Sequence, residues 1–450
     1  MAQEGLAARR AAVQVLTAVD EAAAFSPLSL HAAMERAQLD ARDRSFAALL
    51  VYGTLRWRGR LDWELQHYLR QPFAKLPPPV RNVLRLGLYQ LRFASSVPAS
   101  AAVSTSVELS RRLGYPGLAQ LVNAVLRRAS ATDPGPWLPD PAQDPTGYLS
   151  ITGSHPRWLV ERWLQRLGFD ETEALLAANN ESPPISLRTN LLRISAPDLL
   201  ARLRAEGLPA EPSPLVPEGI RVHGFPRLEQ SSLFQQGLFQ VQDDSSMLVA
   251  YAVDPRPGQT VLDLCSAPGG KSTHLGERLG NTGRVIAFDP NPRKLQLVQE
   301  AARRLGLTNV YTQVADAREV RGPQAPRVLV DAPCTGLGVI RRRPELRWRQ
   351  RPDHLPELVR LQKEILTAAA RLVAPGGRLV YSTCTTEPEE NEDNVEWFGR
   401  QFPEFTLEPI VPSLPEPACS RISSDRPYLR LWPHRHGSDG FFVARWRRQA

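Results

Sequence analysis

The chain has 450 residues, of which 42% are hydrophobic and 23% are charged, so its length suits roughly two to four domains with well-filled cores. This composition excludes global disorder, and no apolar run approaches the roughly 18 residues that cross a bilayer. The first twenty residues lack the apolar stretch of a secretory signal, so we expect a cytoplasmic protein without membrane contact. A net charge of +8 favours a polyanionic partner.

The N-terminal part of the chain is predicted to be helical. Over residues 1–130 apolar side chains recur at helical spacing, as at Leu118, Leu121 and Val125, and no alternation typical of strands is sustained. These residues therefore predict an all-α domain.

Residues 131–182 are predicted to connect this domain to the rest of the chain. Five prolines fall between Ala131 and Thr146, a composition that extends a chain rather than packing it. Ser154 before Pro156 predicts the cap of a helix, and a second helix is expected to end near Asn180.

Two further regions are predicted from residue 183 onwards. Residues 183–242 mix short strand and helix patterns, which indicates a small α+β module. Residues 243–450 alternate short apolar runs with helical segments, which predicts a doubly wound α/β domain. Its expected strands are 261–264, 284–289, 310–314, 328–330 and 379–382, followed by an antiparallel edge hairpin of 428–432 and 441–446.

The turn after the first of these strands is Asp263-Leu-Cys-Ser-Ala-Pro-Gly-Gly-Lys271. Ligands of open α/β sheets bind beyond the C-terminal ends of the strands, where glycines let backbone amides approach them. A Pro-Gly-Gly turn alone has no specific function, but Asp289, Asp316 and Asp331 stand at the ends of the following strands. Together they favour a nucleoside-bearing cofactor, although the spacing does not match a dinucleotide turn.

Two cysteines, Cys334 and Cys384, follow strands at the same edge of the predicted sheet. A free cysteine is usually a small buried hydrophobe, but two thiols beside a cofactor turn suit one reaction. C5 of cytosine is too weak a nucleophile to accept a methyl group directly, so a thiolate must first add to C6. A second group then removes the C5 proton, and Asp331 is placed to hydrogen-bond the N3/N4 edge of the base.

A basic segment follows the first of these cysteines. Guanidinium groups suit phosphates and an indole can stack on an unpaired base, so we predict RNA contact here rather than a merely solvated face. The predicted RNA-binding residues are Arg341, Arg342, Arg343, Arg347, Trp348 and Arg349.

Other polar clusters receive a structural interpretation. Four acids after Cys384 lie at a predicted helix start, where they complement the helix dipole: Glu387, Glu389, Glu390 and Glu392. The histidines, including His434 and His436, lack the spacing of metal ligands, so no metal is predicted.

These motifs resemble those of RNA cytosine-C5 methyltransferases that use S-adenosylmethionine. The resemblance rests on Cys265-Ser-Ala-Pro-Gly-Gly-Lys271, Asp331-Ala-Pro-Cys334, Ser382-Thr-Cys384, Pro388-Glu-Glu-Asn391 and Asp439-Gly-Phe-Phe442. The N-terminal region, with Tyr52-Gly-Thr-Leu55 and Leu121-Val-Asn-Ala-Val-Leu-Arg127, is similar to the helical RNA-binding domain of the antitermination factor NusB. Nearly the whole chain thus resembles the 16S rRNA methyltransferases of the RsmB/NOP family.

The resemblance implies a NusB-like all-α domain, a small α+β RNA-positioning module and a Rossmann-like methyltransferase domain. It implies S-adenosylmethionine as cofactor and 16S rRNA as partner, with the cytosine conventionally numbered 967 as target and a monomeric enzyme. The implied cofactor-binding residues are Cys265, Ser266, Ala267, Pro268, Gly269, Gly270, Lys271, Asp289, Asp316 and Asp331.

The resemblance also assigns the catalytic residues. It makes Cys384 the nucleophile on C6 and Cys334 the group that assists product release, with Asp331 beside the base. DNA cytosine-C5 methyltransferases use a Pro-Cys nucleophile, so Pro333-Cys334 is an alternative; we favour Cys384 because it would otherwise have no chemical use. The alternative function is a non-enzymatic RNA-binding or antitermination factor, against which the intact thiols and glycine turn argue.

Overall fold

The structure is a computed structural model that describes residues 5–22, 26–224, 228–423 and 425–450. Its α-helices are α1 Leu6–Ala22, α2 Ser26–Arg36, α3 Ala41–Tyr68, α4 Pro78–Phe93, α5 Ala99–Arg112, α6 Ala119–Ala131, α7 Pro145–Thr152, α8 Arg157–Leu167, α9 Phe169–Asn180, α10 Ala196–Ala205, α11 Ser232–Gln235, α12 Asp244–Val253, α13 Gly270–Arg278, α14 Pro292–Leu305, α15 Leu346–Arg349, α16 His354–Leu372, α17 Glu392–Gln401, α18 Glu416–Cys419 and α19 Pro433–His436. Its strands are β1 Ile185–Thr189, β2 Ala210–Pro212, β3 Gly219–Val222, β4 Phe239–Val241, β5 Thr260–Asp263, β6 Arg284–Asp289, β7 Val310–Val314, β8 Ala325–Asp331, β9 Val373–Thr383, β10 Phe405–Leu407, β11 Leu429–Leu431 and β12 Phe441–Arg448.

The chain divides into two compact units. The first contains Met1–Glu181 together with Ile340–Gln350, and the second contains Ser182–Val339 and Arg351–Ala450. Among the described residues, no helix combines the length and the apolar character needed to cross a membrane.

The first unit is helical, as predicted for residues 1–130. α3 begins after Asp40, whose side chain accepts a hydrogen bond from the Asp43 N–H and so caps the helix. Apolar faces of α1, α3 and α4 share one core, in which Leu50 and Leu84 are fully buried. The predicted all-α domain is confirmed.

The predicted connector is not extended in the structure. The Trp137 ring stacks on His67 of α3 with centroids 4.6 Å apart, so the proline-rich segment packs against the helices. Ser154 does not cap α8, which begins after Pro156; its Oγ accepts from the Gly59 N–H at 3.0 Å instead. Packing of the Trp137 ring against the helical core stabilises this compact arrangement, although the prolines of the segment favour an extended chain.

The second unit opens with the predicted small α+β module. Its four strands form an antiparallel sheet in the order β2-β3-β1-β4, and Ser195 caps α10 by accepting from the Asp198 N–H. The sequence patterns predicted β1 and β3 but neither of the two edge strands, β2 and β4.

The larger sheet has the order β10-β12-β9-β8-β5-β6-β7, with β11 also paired to β12. The five strands β5 to β9 are mutually parallel, which confirms the doubly wound α/β prediction. The predicted hairpin of β11 and β12 forms, but β12 is not an edge strand: it pairs with β9, β10 and β11. Both of its faces are covered, because Phe441, Phe442 and Val443 are all buried. The C-terminal ends of β5, β6, β8 and β9 therefore meet at one edge of the sheet.

Candidate active site

The predicted cofactor turn lies between β5 and α13. The Ser266 N–H donates to the Phe288 carbonyl at 2.8 Å, which fixes the turn against the end of β6. Gly269 has φ +103°, and a Cβ there would lie 2.9 Å from Val298 Cα on α14. A side chain is therefore excluded both by the backbone conformation and by the close approach of a helix.

Carboxylates surround this turn. Asp289 ends β6, and its Oδ1 accepts from the Asn291 N–H at 2.8 Å. Asp316 follows β7 and forms a salt bridge with Arg318 at 2.7 Å. Burial, together with the charges of Asp263, Asp331, Asp289 and Asp316, raises the pKa of Cys265 well above its ordinary value. The predicted acids thus converge on one thiol and make the site electronegative.

Asp263 belongs to the site although the motif analysis assigned it no role. It is completely buried, and its Oδ2 accepts from Ser272 Oγ at 2.6 Å. Its Oδ1 and the nearby Ser266 Oγ have no hydrogen-bond partner among the described residues. Burial raises the pKa of Asp263 to about 7. Unpaired buried polar atoms are costly, so this part of the turn fits a polar ligand.

Lys271 and Asp331 form an ion pair at the same edge. Lys271 Nζ lies 2.7 Å from Asp331 Oδ2, and Ser382 Oγ donates to Asp331 Oδ1 at 2.7 Å. Burial lowers the pKa of Lys271, but the Asp331 carboxylate more than offsets this, so the pKa of Lys271 is raised. Both oxygens of Asp331 are thereby held in place by β9 and α13.

The structure brings the two predicted thiols together. Cys334 Sγ and Cys384 Sγ lie 3.4 Å apart, each on the loop that follows its strand, β8 or β9. The hydrogen bond with Cys384 and then burial raise the pKa of Cys334 well above its ordinary value. Two thiol groups therefore lie in contact at the C-terminal ends of neighbouring strands.

Glu390 takes part in the site in a way that its predicted place at a helix start did not reveal. It lies just before α17, as predicted, but its side chain is fully buried. Its carboxylate accepts from the Thr335 N–H at 2.9 Å, from Thr335 Oγ1 at 2.5 Å and from Gln362 Nε2 at 2.9 Å. The amino-acid sequence alone does not show which of several neighbouring acidic residues is buried.

Arg188 is a second functional residue that the patterns missed. This fully buried side chain of β1 donates to the Gly270 carbonyl at 2.7 Å and forms a salt bridge with Glu277 of α13 at 2.9 Å. The small module therefore supports the cofactor turn directly.

The predicted RNA-binding segment belongs to the first unit. Arg347 has no exposed surface, and it donates to the Ser154 carbonyl, to Asn180 Oδ1 and to the Asn179 carbonyl. Trp348 Nε1 donates to the Leu55 carbonyl at 3.1 Å. This differs from the prediction of RNA contact, because Arg347 is buried and both of its terminal nitrogens already donate within the protein.

The rest of this segment varies in exposure. Arg341 is also buried, Arg342 and Arg349 are half-buried, and Arg343 is exposed. Arg343 is thus the most accessible of the predicted RNA-binding side chains. No cluster of three or more metal-ligating side chains occurs within the part of the chain that the structure describes.

The fold and the site together define a Rossmann-like methyltransferase with a NusB-like helical domain. The chain matches the family described as 16S rRNA methyltransferase RsmB/F over residues 250–447, the NusB family over residues 6–131, and a RsmF/B-like ferredoxin-like domain over residues 155–228.

Relatives of full length agree with these matches. The chain is 37% identical over 446 residues to a probable ribosomal RNA small subunit methyltransferase B of Bacillus subtilis, covering 98% of each chain. A protein of the same name from Synechocystis is also 37% identical, with 98% and 99% coverage. The chain therefore belongs to the RsmB/F family of ribosomal RNA small subunit methyltransferases.

Solved structures show the same architecture. The crystal structure of PH0851 matches with a TM-score of 0.84 at 31% identity, covering 98% of both chains. NSun6 from Pyrococcus horikoshii with SFG matches with a TM-score of 0.59 at 26% identity, covering 66% of this chain and 98% of that one.

Proposed function

We propose that this protein methylates C5 of one cytosine in 16S rRNA through a covalent adduct between Cys384 and C6 of the base. The observation that carries the proposal is the 3.4 Å separation of Cys334 Sγ and Cys384 Sγ beside Asp331. The reaction needs one sulfur to attack the ring and a second group to take the C5 proton.

The electrostatics of the pair support Cys384 as the nucleophile. Because the hydrogen bond with Cys384 and then burial raise the pKa of Cys334, Cys334 keeps its proton in the free enzyme, and we assign it as the donor in the hydrogen bond between the two sulfurs. Addition to C6 converts the Cys384 sulfur into a thioether and so removes the hydrogen bond with the Cys384 thiol group, which contributes most to the raised pKa of Cys334. Cys334 then becomes easier to deprotonate when a base for the C5 proton is needed.

The Cys384 thiolate forms a bond to C6, and the electron pair of the C5–C6 double bond moves toward C5. C5 would then take the methyl group from the sulfonium of the donor, whose methyl–sulfur bond breaks and whose sulfur leaves as a neutral thioether. Cys334, having lost its own proton to solvent, takes the C5 proton, the C5–C6 double bond re-forms, and the bond between Cys384 and C6 breaks, which returns Cys384 to a thiolate. We assign Asp331, whose oxygens are held by Lys271 and Ser382, the hydrogen bond to the amine edge of the base during these steps.

The donor we propose is S-adenosylmethionine, which supplies an electrophilic methyl group on a cationic sulfonium. A cationic ligand suits the electronegative turn around Cys265, and the unpaired Asp263 Oδ1 and Ser266 Oγ offer polar contacts. We assign Asp289 to the ribose hydroxyls and Asp316 to the adenine amine of this donor. The NSun6 structure contains SFG, an analogue of this donor, which supports the assignment.

The substrate we propose is the cytosine conventionally numbered 967 in 16S rRNA, modified in the cytoplasm. The NusB-like helices and the small α+β module would grip a folded RNA, and the target base must leave its stack to reach the two sulfurs. The exposed Arg343 is the RNA contact we retain from the basic segment.

The test uses three cysteine variants with labelled S-adenosylmethionine and naked 16S RNA. Cys334→Ala should accumulate a protein–RNA adduct that survives denaturing electrophoresis, because the methylated base cannot be released. Cys384→Ala should form no adduct and no product. Cys419→Ala is the matched control, since its thiol bonds to the Val411 and Leu414 carbonyls away from the pair, and it should behave as wild type.

Two results would contradict the proposal. An adduct in Cys384→Ala but none in Cys334→Ala would exchange the roles of the cysteines. Absence of 5-methylcytosine at the target position in rRNA from cells that carry the gene would reject the substrate.

A further inference from the structure

Cys334 is held from both sides by one buried polar cluster. The Gln362 amide Nε2 donates to the carbonyl of Pro333, which precedes the cysteine, and also to Glu390 Oε1, both at 2.9 Å. The N–H of Thr335, which follows the cysteine, donates to the same Oε1 at 2.9 Å. The position of Cys334 therefore depends on the Glu390 carboxyl group.

The same cluster reaches the loop of the second cysteine. Thr335 Oγ1 donates to Glu390 Oε2 at 2.5 Å and lies 2.8 Å from Oγ1 of Thr385, the residue after Cys384. Since the Thr335 hydroxyl hydrogen points to Glu390, Thr385 is the donor in the second bond. One carboxyl group thus ties the residues that follow both cysteines.

The cluster is itself rigidly supported. Asn394 Nδ2 donates to Gln362 Oε1 at 2.9 Å, and the Tyr381 hydroxyl donates to the Glu390 carbonyl at 2.6 Å. Glu390, Gln362, Tyr381 and Asn394 are all fully buried, so water does not compete for these bonds.

We propose that Glu390 is a positioning residue that sets the distance between Cys334 and Cys384 and thereby permits release of the methylated product. This inference rests on the proposed roles of the two cysteines. Glu390 touches neither sulfur in a hydrogen bond of the described residues; it acts through Thr335, Gln362 and Thr385. Burial raises the pKa of Glu390, which agrees with a carboxyl group that acts through its internal hydrogen bonds.

The experiment measures adduct and turnover in Glu390→Ala and in Thr385→Val. Both variants keep both cysteines, so attack on C6 continues, but the link between the two cysteine loops is broken, the distance between the sulfurs changes and release slows. We expect kcat to fall about tenfold or more, KM for RNA to change by less than about twofold, and the adduct fraction to rise above wild type. Glu390→Gln keeps the size and one acceptor oxygen, so it should fall between Glu390→Ala and wild type.

Controls separate this inference from folding defects and from the proposed function. Thr385→Val removes one hydroxyl and keeps side-chain shape, so it tests the link even if Glu390→Ala fails to fold. Glu396→Ala removes an exposed acid of α17 and should match wild type. An adduct in Cys334→Ala with no excess adduct in a folded Thr385→Val would overturn the role of Glu390. Absence of adduct in Cys334→Ala itself would overturn the proposed function instead.

Discussion

At the scale of single residues, both carboxylate oxygens of Asp331 are fixed by hydrogen-bonding partners. Asp331 has one oxygen on Lys271 and the other on Ser382. A compact ammonium suits this position better than a guanidinium, which would need a planar fork of acceptors. This gives a physical reason for one of only four lysines in a chain with 55 basic residues.

Asp263 gives a prediction about pH and stability. Its pKa rises from 3.8 to about 7 on burial, so the folded protein binds this proton more tightly than the unfolded chain. Stability from this group is therefore full below the unfolded pKa and is lost as the pH rises toward about 7. At pH 8 the ionisation of Asp263 lowers the free energy of unfolding by about 4 kcal/mol.

Asp263→Asn should remove this loss of stability, because a side-chain amide does not ionise in this pH range. Without bound cofactor, the variant should gain thermal stability relative to wild type at pH 8, and the gain should shrink at pH 4. Thermal unfolding of both proteins at the two pH values checks this. An equal difference at both pH values would show that Asp263 does not titrate in this range.

Functional residues of a rare chemical type can be predicted from the sequence, whereas residues that act through buried hydrogen bonds cannot. Cys334 and Cys384 could be found because two thiols after neighbouring strands suit few reactions. Glu390 could not be told from Glu389 or Glu392, since only packing decides which acid enters the core. The prediction of RNA contact for Arg347 fails for the same reason: a cationic segment suggests a phosphate partner until its acceptors within the protein are known.

At the scale of elements, the loops after β8 and β9 are held against each other by backbone bonds. The Gly338 N–H donates to the Cys384 carbonyl at 2.9 Å, and the Gly440 N–H donates to the Gly338 carbonyl at 2.8 Å. A Cβ on Gly338 would collide with the Gly440 carbonyl and approach the Cys384 carbonyl to 2.9 Å. Because the clashing atoms belong to the backbone, a change of side-chain rotamer cannot relieve the collision.

Gly338→Ala should therefore separate the two cysteine loops. Overpacking of this kind costs roughly 1–3 kcal/mol, and we expect kcat to fall about tenfold or more while S-adenosylmethionine still binds at the β5 turn. Gly322→Ala is the matched control, because nothing lies within 4 Å of its added methyl group. Turnover assays and calorimetric titration with the donor check this. Unchanged turnover in Gly338→Ala would mean that the loops adapt.

Most elements of the α/β region were predictable because parallel strands are short, apolar and separated by amphipathic helices. The place of β12 in the sheet was not, because strand order depends on pairing over long sequence distances. The uninterrupted apolar run from Phe441 to Ala444 is typical of an interior strand, and the edge-hairpin interpretation overlooked it. All four of these side chains are buried in the structure.

At the scale of the whole molecule, chain order and folding units do not coincide. Ile340–Gln350 lies within the sequence of the α/β region but belongs to the helical unit. Besides Arg347, the segment supplies Glu345, which accepts from Ser26 Oγ at 2.9 Å, and Trp348, which covers Gly59. Domain boundaries drawn along a sequence assume continuity, so such an insertion is not predictable from composition or periodicity.

This arrangement predicts that residues 1–181 alone are an incomplete unit that a peptide of residues 338–352 can complete. The peptide would return Arg347 to the carbonyls of Ser154 and Asn179, which are otherwise left without this donor. At about ten times its Kd, binding adds roughly 1.4 kcal/mol, or about 3–5 °C of thermal midpoint for a domain of this size. A peptide with Arg347→Met should give a much smaller shift in the same thermal scan. Equal shifts from the two peptides would show that the segment binds through its other side chains, and no shift from either would show that the helical fragment is complete without it.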